Sequence, residues 1–343
     1  MISFLNSDRS RAVAIWLFAV AALVLAMVVV GGSTRLTGSG LSITEWKPVT
    51  GVVPPLSLAQ WQDAFARYRE IPQYRQLNAG MSLAQFQTLY WWEWSHRLLG
   101  RVLALVFFGP FVWFAVRREL PRRLFLRLGV IFLLGAAQAV VGWWMVASGL
   151  EHRLYVAPER LMVHLGLAFA LLGALVWTGL DAWAGVARQT LPSPWGRAGA
   201  WLIGLIYLQV LLGALVAGNH AGLIYNDWPL MNGRLIPDDY PGADLWETVA
   251  HTQGAVQLHH RLLAYAIVAV ALVMATRAWR SSYLARECKL LAGGVAAAVL
   301  AQAGLGIVTL MSRAPLGLSV AHQLLAAATF TLAITFAWRV RRI

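Results

Sequence analysis

Eight long apolar runs dominate the chain and limit what it can fold into. Each run has about 20 residues, enough at a rise of 1.5 Å per residue to cross a hydrocarbon core of roughly 30 Å. The first run is too long for a signal-peptide core and lacks a small-residue cleavage site, so it predicts an uncleaved span. The sequence therefore predicts an all-α integral membrane protein with eight transmembrane helices. Their predicted ranges are 12–32, 94–116, 124–146, 160–180, 198–218, 257–279, 288–311 and 317–338.

The composition supports a membrane protein and argues against other classes. Of the 343 residues, 59% are hydrophobic and 13% are charged, whereas soluble domains are nearer half apolar and a quarter charged. A net charge of +13 is also typical of nucleic-acid-binding proteins. Here, however, the termini and the loops after the second, fourth and sixth spans hold 16 of the 28 basic residues against four acids. By the positive-inside rule both termini are cytoplasmic, and we expect no nucleic-acid partner.

The chain repeats a unit of four spans. The segments GGSTRLTGSGLSITEW at 31–46 and GALVAGNHAGLIYNDW at 213–228 align without a gap at two glycines, an acid and the tryptophan. The second and sixth spans both open with His-Arg-Leu-Leu, at 96–99 and 260–263. Because each unit has an even number of spans, both units have the same orientation. We therefore expect two tandem four-helix bundles related by a parallel internal repeat.

Four of the eight histidines fall at matching positions of the repeat, near the outer end of each even-numbered span. They are His96, His164, His260 and His322. Ionisable groups inside a membrane are costly and usually functional. Two neutral imidazoles on facing helices can occupy both axial positions of a haem iron. The pairs His96/His164 and His260/His322 therefore predict one haem site per half, with packed core histidines as the alternative. Zinc is less favoured because no cysteine and few carboxylates share that depth.

Further polar side chains accompany these histidines. Three arginines beside the proposed ligands would pair with haem propionates or extend to lipid headgroups. Three glutamines in odd-numbered spans could hydrogen-bond between helices or toward a haem, and we assign them no specific role. The arginines are Arg97, Arg101 and Arg261, and the glutamines are Gln138, Gln209 and Gln302.

Glu93 distinguishes the first half from the second. It precedes His96 by three residues, so both side chains share one helix face. The equivalent residue in the second half is Gln257, which cannot ionise. The difference predicts a reaction centre in the first half, where Glu93 would move protons or stabilise a cationic intermediate. The alternative is an interfacial acid paired with Arg97.

The outer loops carry weaker signals. His152, His220 and His251 fall there, where a solvated surface histidine is the usual case. The segment 57–70 has apolar residues at helical spacing, which predicts a helix lying on the membrane surface. The chain also lacks an Arg- and Ser-rich transit segment, which favours a bacterial inner (cytoplasmic) membrane.

Five motifs together resemble the heme A synthase family, and they occur in order from the first span to the eighth. They are GGSTRLTGSGLSITEWKPVTGVVPPL at 31–56, YWWEWSHRLLGR at 90–101, LMVHLG at 161–166, QLHHRLLAY at 257–265 and AHQLLA at 321–326. Some bacterial members of the family carry a cysteine pair in the first outer loop. This chain has no cysteine there, so it resembles the proteobacterial and mitochondrial branch without that pair.

The resemblance implies two chemically different halves. Residues 1–185 would form a bundle that holds the substrate, haem O, between His96 and His164. Residues 186–343 would form a bundle that holds a haem b cofactor between His260 and His322. The family reaction oxidises a methyl group of haem O to the formyl group of haem A, and Glu93 matches an acid regarded as catalytic.

The resemblance also implies partners, and the residues leave other functions open. A haem O synthase and an unidentified electron donor are the implied partners, and the apolar exterior allows contact with lipid and assembly into homo-oligomers. One alternative is a dihaem b-type electron-transfer protein, although four histidines at one depth suit transfer across the membrane poorly. Another is a transporter, although the glycines and prolines give little sign of broken helices.

Overall fold

The computed structural model describes residues 7–184 and 193–341, and the predicted boundary between residues 185 and 186 lies outside these ranges. The described residues form helices and no named strand, with one isolated bridge between Met231 and Arg234. In chain order the helices are α1 (Ser7–Leu36), α2 (Leu58–Arg69), α3 (Pro72–Leu77), α4 (Leu83–Val116), α5 (Arg122–Ala147), α6 (Pro158–Ala184), α7 (Pro194–Gly218), α8 (Leu245–Ala250), α9 (Gln253–Arg280), α10 (Arg286–Met311) and α11 (Leu316–Val340).

The eight predicted membrane spans are confirmed within the described ranges. Helices α1, α4, α5, α6, α7, α9, α10 and α11 are long and apolar enough to cross a membrane. Many of their large apolar side chains remain exposed on the protein, among them Leu105, Leu133 and Trp201. Such exposure would be costly in water, but it suits a surface that faces lipid.

Helix α4 extends further outward than the apolar run predicted. It begins at Leu83 rather than at residue 94, because Ser82 and Gln85 form a capping box at its N-terminus. The Ser82 hydroxyl accepts from the Gln85 backbone N–H at 3.3 Å, and the Gln85 amide oxygen accepts from the Ser82 backbone N–H at 2.8 Å. These bonds satisfy donors that a helix start leaves unpaired, so the helix continues beyond its apolar part.

Helix α2 occupies nearly all of the segment predicted to be helical, but protein covers part of its apolar face. Phe65 stacks on Phe86 with a ring-centroid distance of 4.9 Å, and Trp61 meets Tyr90 edge-on at 5.0 Å. Both partners lie on the outward extension of α4. The apolar spacing of this helix therefore reflects packing against α4 as well as the predicted position at the membrane surface.

Within each half, the four spanning helices pack in a ring in which each helix contacts two neighbours. Helix α1 contacts α4 and α6, while α5 contacts both α4 and α6. In the second half, α7 contacts α9 and α11, and α10 contacts the same two helices. Contacts of α6 with α7 and α11, and of α1 with α11, join the halves. One buried hydrophobic cluster runs through this junction and includes Leu17, Phe169 and Phe336.

Candidate functional site

The structure brings the four repeated histidines together in two pairs. Helices α4 and α6 carry His96 and His164, whose imidazoles are electrostatic neighbours. Helices α9 and α11 carry His260 and His322, which are neighbours in the same way. One pair therefore lies in each half of the chain.

Each of these imidazoles lies against a glycine of the preceding spanning helix. A Cβ atom added to any of the four glycines would come within 2.8–3.1 Å of the nearest ring atom. A larger residue would push the ring away, so glycine is what permits this close approach. The pairs are Gly31 with His96, Gly142 with His164, Gly213 with His260, and Gly306 with His322.

Three of the four histidines also have a glutamine beside them. The glutamine stands four residues before the glycine, one helical turn away on the same face. Its amide nitrogen donates to the backbone carbonyl of the histidine at 2.9–3.0 Å. The pairs are Gln138 with His164, Gln209 with His260, and Gln302 with His322. The Gln-x3-Gly spacing occurs in all three helices, but each partner histidine lies on another helix.

Glu93 is buried and paired with Arg97. Only 4% of Glu93 is exposed, and its Oε1 accepts from the Arg97 Nε at 2.6 Å. Glu93 therefore makes the ion pair with Arg97 that the alternative interpretation predicted. Its carboxylate lies one turn before His96 on the same helix.

Gln257 replaces Glu93 at the equivalent place in the second half. Its Oε1 accepts from the Arg261 Nη2 at 2.7 Å. Its amide nitrogen donates to the backbone carbonyls of Ala221 and Ile224 at 2.6 and 2.8 Å. A carboxylate has no N–H to make these bonds, so the two halves differ in hydrogen-bond donors as well as in charge.

The three predicted arginines hold the outer loops. Arg97 Nη2 donates to the Ile43 carbonyl at 2.8 Å, and Arg261 Nη2 donates to the equivalent carbonyl of Tyr225 at 2.8 Å. Further bonds run from Arg97 to Glu45, from Arg261 to Leu230, and from Arg101 to Lys47 and Pro48. Two nitrogens, Arg101 Nη1 and Arg261 Nε, are buried without a partner among the described residues.

The matched acids of the repeated loops stabilise those loops rather than the histidine pairs. The backbone N–H groups of Asn232 and Gly233 donate to Asp227, and these bonds hold the pKa of its carboxyl below the ordinary value. Glu45, its counterpart in the first loop, forms ion pairs with Lys47 and Arg67.

A polar cluster at the outer junction of the halves was not predicted from the sequence. His220 is half-buried rather than freely solvated, and its ring lies 4.2 Å from that of Tyr155. Arg35 is close enough to both residues to interact electrostatically. Its guanidinium forms no hydrogen bond or ion pair with any residue of the described ranges. The repeat does distinguish Arg35, because the equivalent residue in the second half is Ala217.

Within residues 7–184 and 193–341, no group of three or more His, Cys, Asp or Glu side chains is arranged to hold a metal ion. Within the same ranges, the histidines that lie close together are the two imidazole pairs. Two imidazoles suit an iron whose other four ligands come from a porphyrin, as in haem proteins with two axial histidines.

The fold and these sites define a multi-pass helical membrane protein whose polar side chains gather in two repeated, unequal centres. Residues 14–334 match the COX15-CtaA family model, described as cytochrome oxidase assembly protein, and the chain belongs to this family. It is 58% identical to the heme A synthase of Caulobacter sp. (strain K31) over 100% of both chains. It is 55% identical to that of Caulobacter vibrioides over 100% of both chains, and 47% identical to that of Maricaulis maris over 98% of both.

Proposed function

We propose that this protein oxidises the methyl group of haem O to the formyl group of haem A, the activity for which its relatives are named. The reaction takes place at the first histidine pair, His96 and His164, through successive hydroxylations and loss of water from the hydrated aldehyde. The observation that carries the proposal is a pair of histidines packed on glycines in each half of the chain. A buried carboxylate, Glu93, lies beside the pair of the first half, where the second half has Gln257.

The residues present fit haem groups. Four imidazole ligands come in two pairs, and each ring lies against a glycine, where a larger residue would displace it. Unpaired N–H groups of Arg101 and Arg261, together with the Arg35 guanidinium, are available to propionate carboxylates. A haem b held by His260 and His322 would supply one-electron transfer to the reaction.

Glu93 is the residue we assign to proton transfer. Its Oε1 is held by Arg97, which orients the carboxylate one turn from His96. Each hydroxylation of the methyl group requires proton transfer at the reacting group, and a buried carboxylate beside that group can donate or accept a proton. Arg97 also donates to two carbonyls of the first outer loop, so the same side chain positions both Glu93 and the loop above it.

The two halves then act as separate units. Residues 1–185 form the bundle for the substrate and residues 186–343 the bundle for the cofactor, in a bacterial inner membrane with both termini cytoplasmic. A haem O synthase supplies the substrate, and a separate donor supplies electrons. The lipid-facing exterior also permits a homo-oligomer.

The test is expression of the full chain in a host that makes haem O but no haem A, followed by extraction and mass analysis of the haems. We expect the formyl haem to appear. Protein that is present and haem-loaded but forms no formyl haem would instead support the dihaem electron-transfer function. That alternative is favoured by the histidine–glycine contacts that both halves contain.

Glu93→Gln should abolish the conversion without unfolding the protein. Gln257 shows that an amide at this position pairs with the arginine four residues later, so the variant can keep that contact while an amide replaces the ionisable group. We expect the yield of formyl haem to fall by at least about 100-fold, the usual effect of removing an acid–base group. The spectrum of the second haem should be unchanged, and conversion at the normal rate would refute the role of Glu93.

Replacement of His260 or His322 by Ala tests the second site. Either change should remove the absorbance of the resident haem b, while haem O remains bound at the first site. Retention of haem b with two axial histidines after either change would contradict the pairing.

A further inference from the structure

The four histidine sites share the close contact with a glycine but differ in one residue. In each, a helix presents glycine to the imidazole and a second side chain one turn earlier. That side chain is glutamine beside His164, His260 and His322. At the equivalent position of the first site, four residues before Gly31, the residue is Met27.

The glutamines touch both the backbone and the ring of their histidines. The amide nitrogen of Gln209 lies 3.1 and 3.2 Å from the two ring nitrogens of His260, and that of Gln302 lies 3.2 and 3.3 Å from those of His322. Such nearly equal distances place the amide against the face of the ring. The same amide donates to the histidine carbonyl, so one side chain fixes both the helix and the imidazole.

Each glutamine also keeps a free acceptor. The Oε1 atoms of Gln138, Gln209 and Gln302 are buried and have no hydrogen-bond partner among the described residues. A histidine that binds iron through one nitrogen usually donates the other N–H to an acceptor, which orients the ring and makes it a stronger ligand. A buried amide oxygen on the side chain already touching the histidine can serve as that acceptor.

Met27 can offer none of these interactions. A thioether donates no hydrogen bond and accepts only weakly. The Met27 methyl instead lies 3.8 Å from where a Cβ on Gly100 would be. Within the described ranges, the His96 ring has the glycine contact but no hydrogen bond to a side chain.

We propose that Gln138, Gln209 and Gln302 are positioning residues that strengthen three of the four axial histidines, and that Met27 leaves His96 as the weak ligand. The cofactor site then has two strong ligands and holds its haem permanently. The substrate site has one strong and one weak ligand, which allows haem to enter and leave. This inference rests on the haem sites of the proposed function and not on the oxidation itself.

Reciprocal substitutions test it on the purified full-length protein loaded with haem O and haem b. Excess apomyoglobin is added as acceptor, and the haems that stay bound are separated by chromatography over time. In the unaltered protein, haem O should leave faster than haem b. Gln302→Met should speed the loss of haem b by about 10–100-fold, the usual effect of removing such a partner. Met27→Gln should slow the loss of haem O by a similar factor.

The low-spin electron paramagnetic resonance signals provide a second readout. Met27→Gln should shift the signal of haem O alone, and unchanged haem b would show that the variant is folded. Gln253→Met is the matched control, because Gln253 donates to the Asn219 carbonyl in the same half and, among the described residues, has no hydrogen bond to an axial histidine. It should leave both release rates unchanged.

Three results would overturn the inference. They are release rates unaffected by both swaps, haem b leaving faster than haem O in the unaltered protein, and Gln253→Met acting like Gln302→Met. If the protein binds haem normally but gives one of these results, the role of the glutamines is refuted and the proposed function is not. A protein that binds no haem at either pair refutes the proposed function.

Discussion

Gly306 shows how single residues shape the candidate sites. The ring of His322 lies so close to it that an added Cβ would be 2.8 Å from the ring Cε1. Two residues earlier on the same helix, a Cβ on Gly304 would meet nothing within 4 Å. The two glycines look alike in the sequence, yet only one of them makes room for a histidine.

Gly306→Ala should therefore weaken the second site while Gly304→Ala should not. The added methyl forces the His322 ring to move, at a cost of about 1–3 kcal/mol in well-packed interiors. We expect a lower haem b content per protein, measured from the reduced absorbance spectrum, and a lower unfolding temperature. Gly304→Ala should leave haem content unchanged. Equal haem content in both variants would show that the close contact does not matter.

Glu93 and Gln257 show what residue comparison within the repeat could predict. The loss of an ionisable group was readable from the aligned sequences. The two bonds from Gln257 to loop carbonyls were not, because Ala221 and Ile224 lie more than thirty positions earlier in the chain.

Among the secondary-structure elements, the outer loops hold their positions through the helices beneath them. A short 3-10 turn follows α1 at Ser39–Leu41, and its counterpart follows α7 at Ala221–Leu223. The residue before each turn has a positive φ, 69° at Gly38 and 54° at His220. Asn tolerates this conformation better than most residues with a side chain, which makes it a suitable replacement for His220.

Acid should destabilise this turn through His220. Burial and the neighbouring positive charge of Arg35 lower the pKa of His220 from 6.5 to about 4. Between these values the unfolded chain binds the proton and the folded chain does not, so stability falls as the pH drops from 6.5 towards 4. In detergent, the unfolding temperature should fall less on acidification in His220→Asn than in the unaltered protein.

His152→Asn is the control for that experiment, because the His152 side chain is 90% exposed. Its unfolding temperature should depend on pH as in the unaltered protein. If His220→Asn shows the same pH dependence as this control, the turn does not contribute to acid sensitivity.

The helices themselves were the most predictable elements. A run of apolar residues long enough to cross a membrane must form a helix, because its backbone groups find no other partners in lipid. The outward extension of α4 was missed, since capping and aromatic contacts with α2 stabilise it rather than apolar length.

Across the whole molecule, Asp181 joins the halves at the end opposite the histidines. Its carboxylate accepts from Arg127 of α5 at 2.7 Å, from the Trp338 indole of α11 at 2.9 Å and from Arg341 at 2.6 Å. Arg341 in turn lies over the ring of Trp177, with 5.2 Å from its guanidinium carbon to the ring centroid. One largely buried acid thus connects α6 to a helix of its own half and to the last helix of the other.

Asp181→Ala should lower the free energy of unfolding by about 2–3 kcal/mol, since it removes hydrogen bonds to a charged group that is largely buried. The control is Glu287→Ala, whose partner Arg339 is exposed at the same end. An exposed ion pair contributes less than about 1 kcal/mol. Thermal unfolding in detergent should separate the two variants, and equal losses would show that Asp181 does not join the halves.

The sequence alone determined the membrane class, the eight helices, the four-span repeat and the choice of histidines. These follow from apolar length, charge distribution and residue identity, which are properties of short segments. Only the tertiary structure decided which glycine and which glutamine touch each histidine, and that the arginines bind loop carbonyls. Such contacts join residues on different helices, and the geometry that brings them together is set by helix packing rather than by any local pattern.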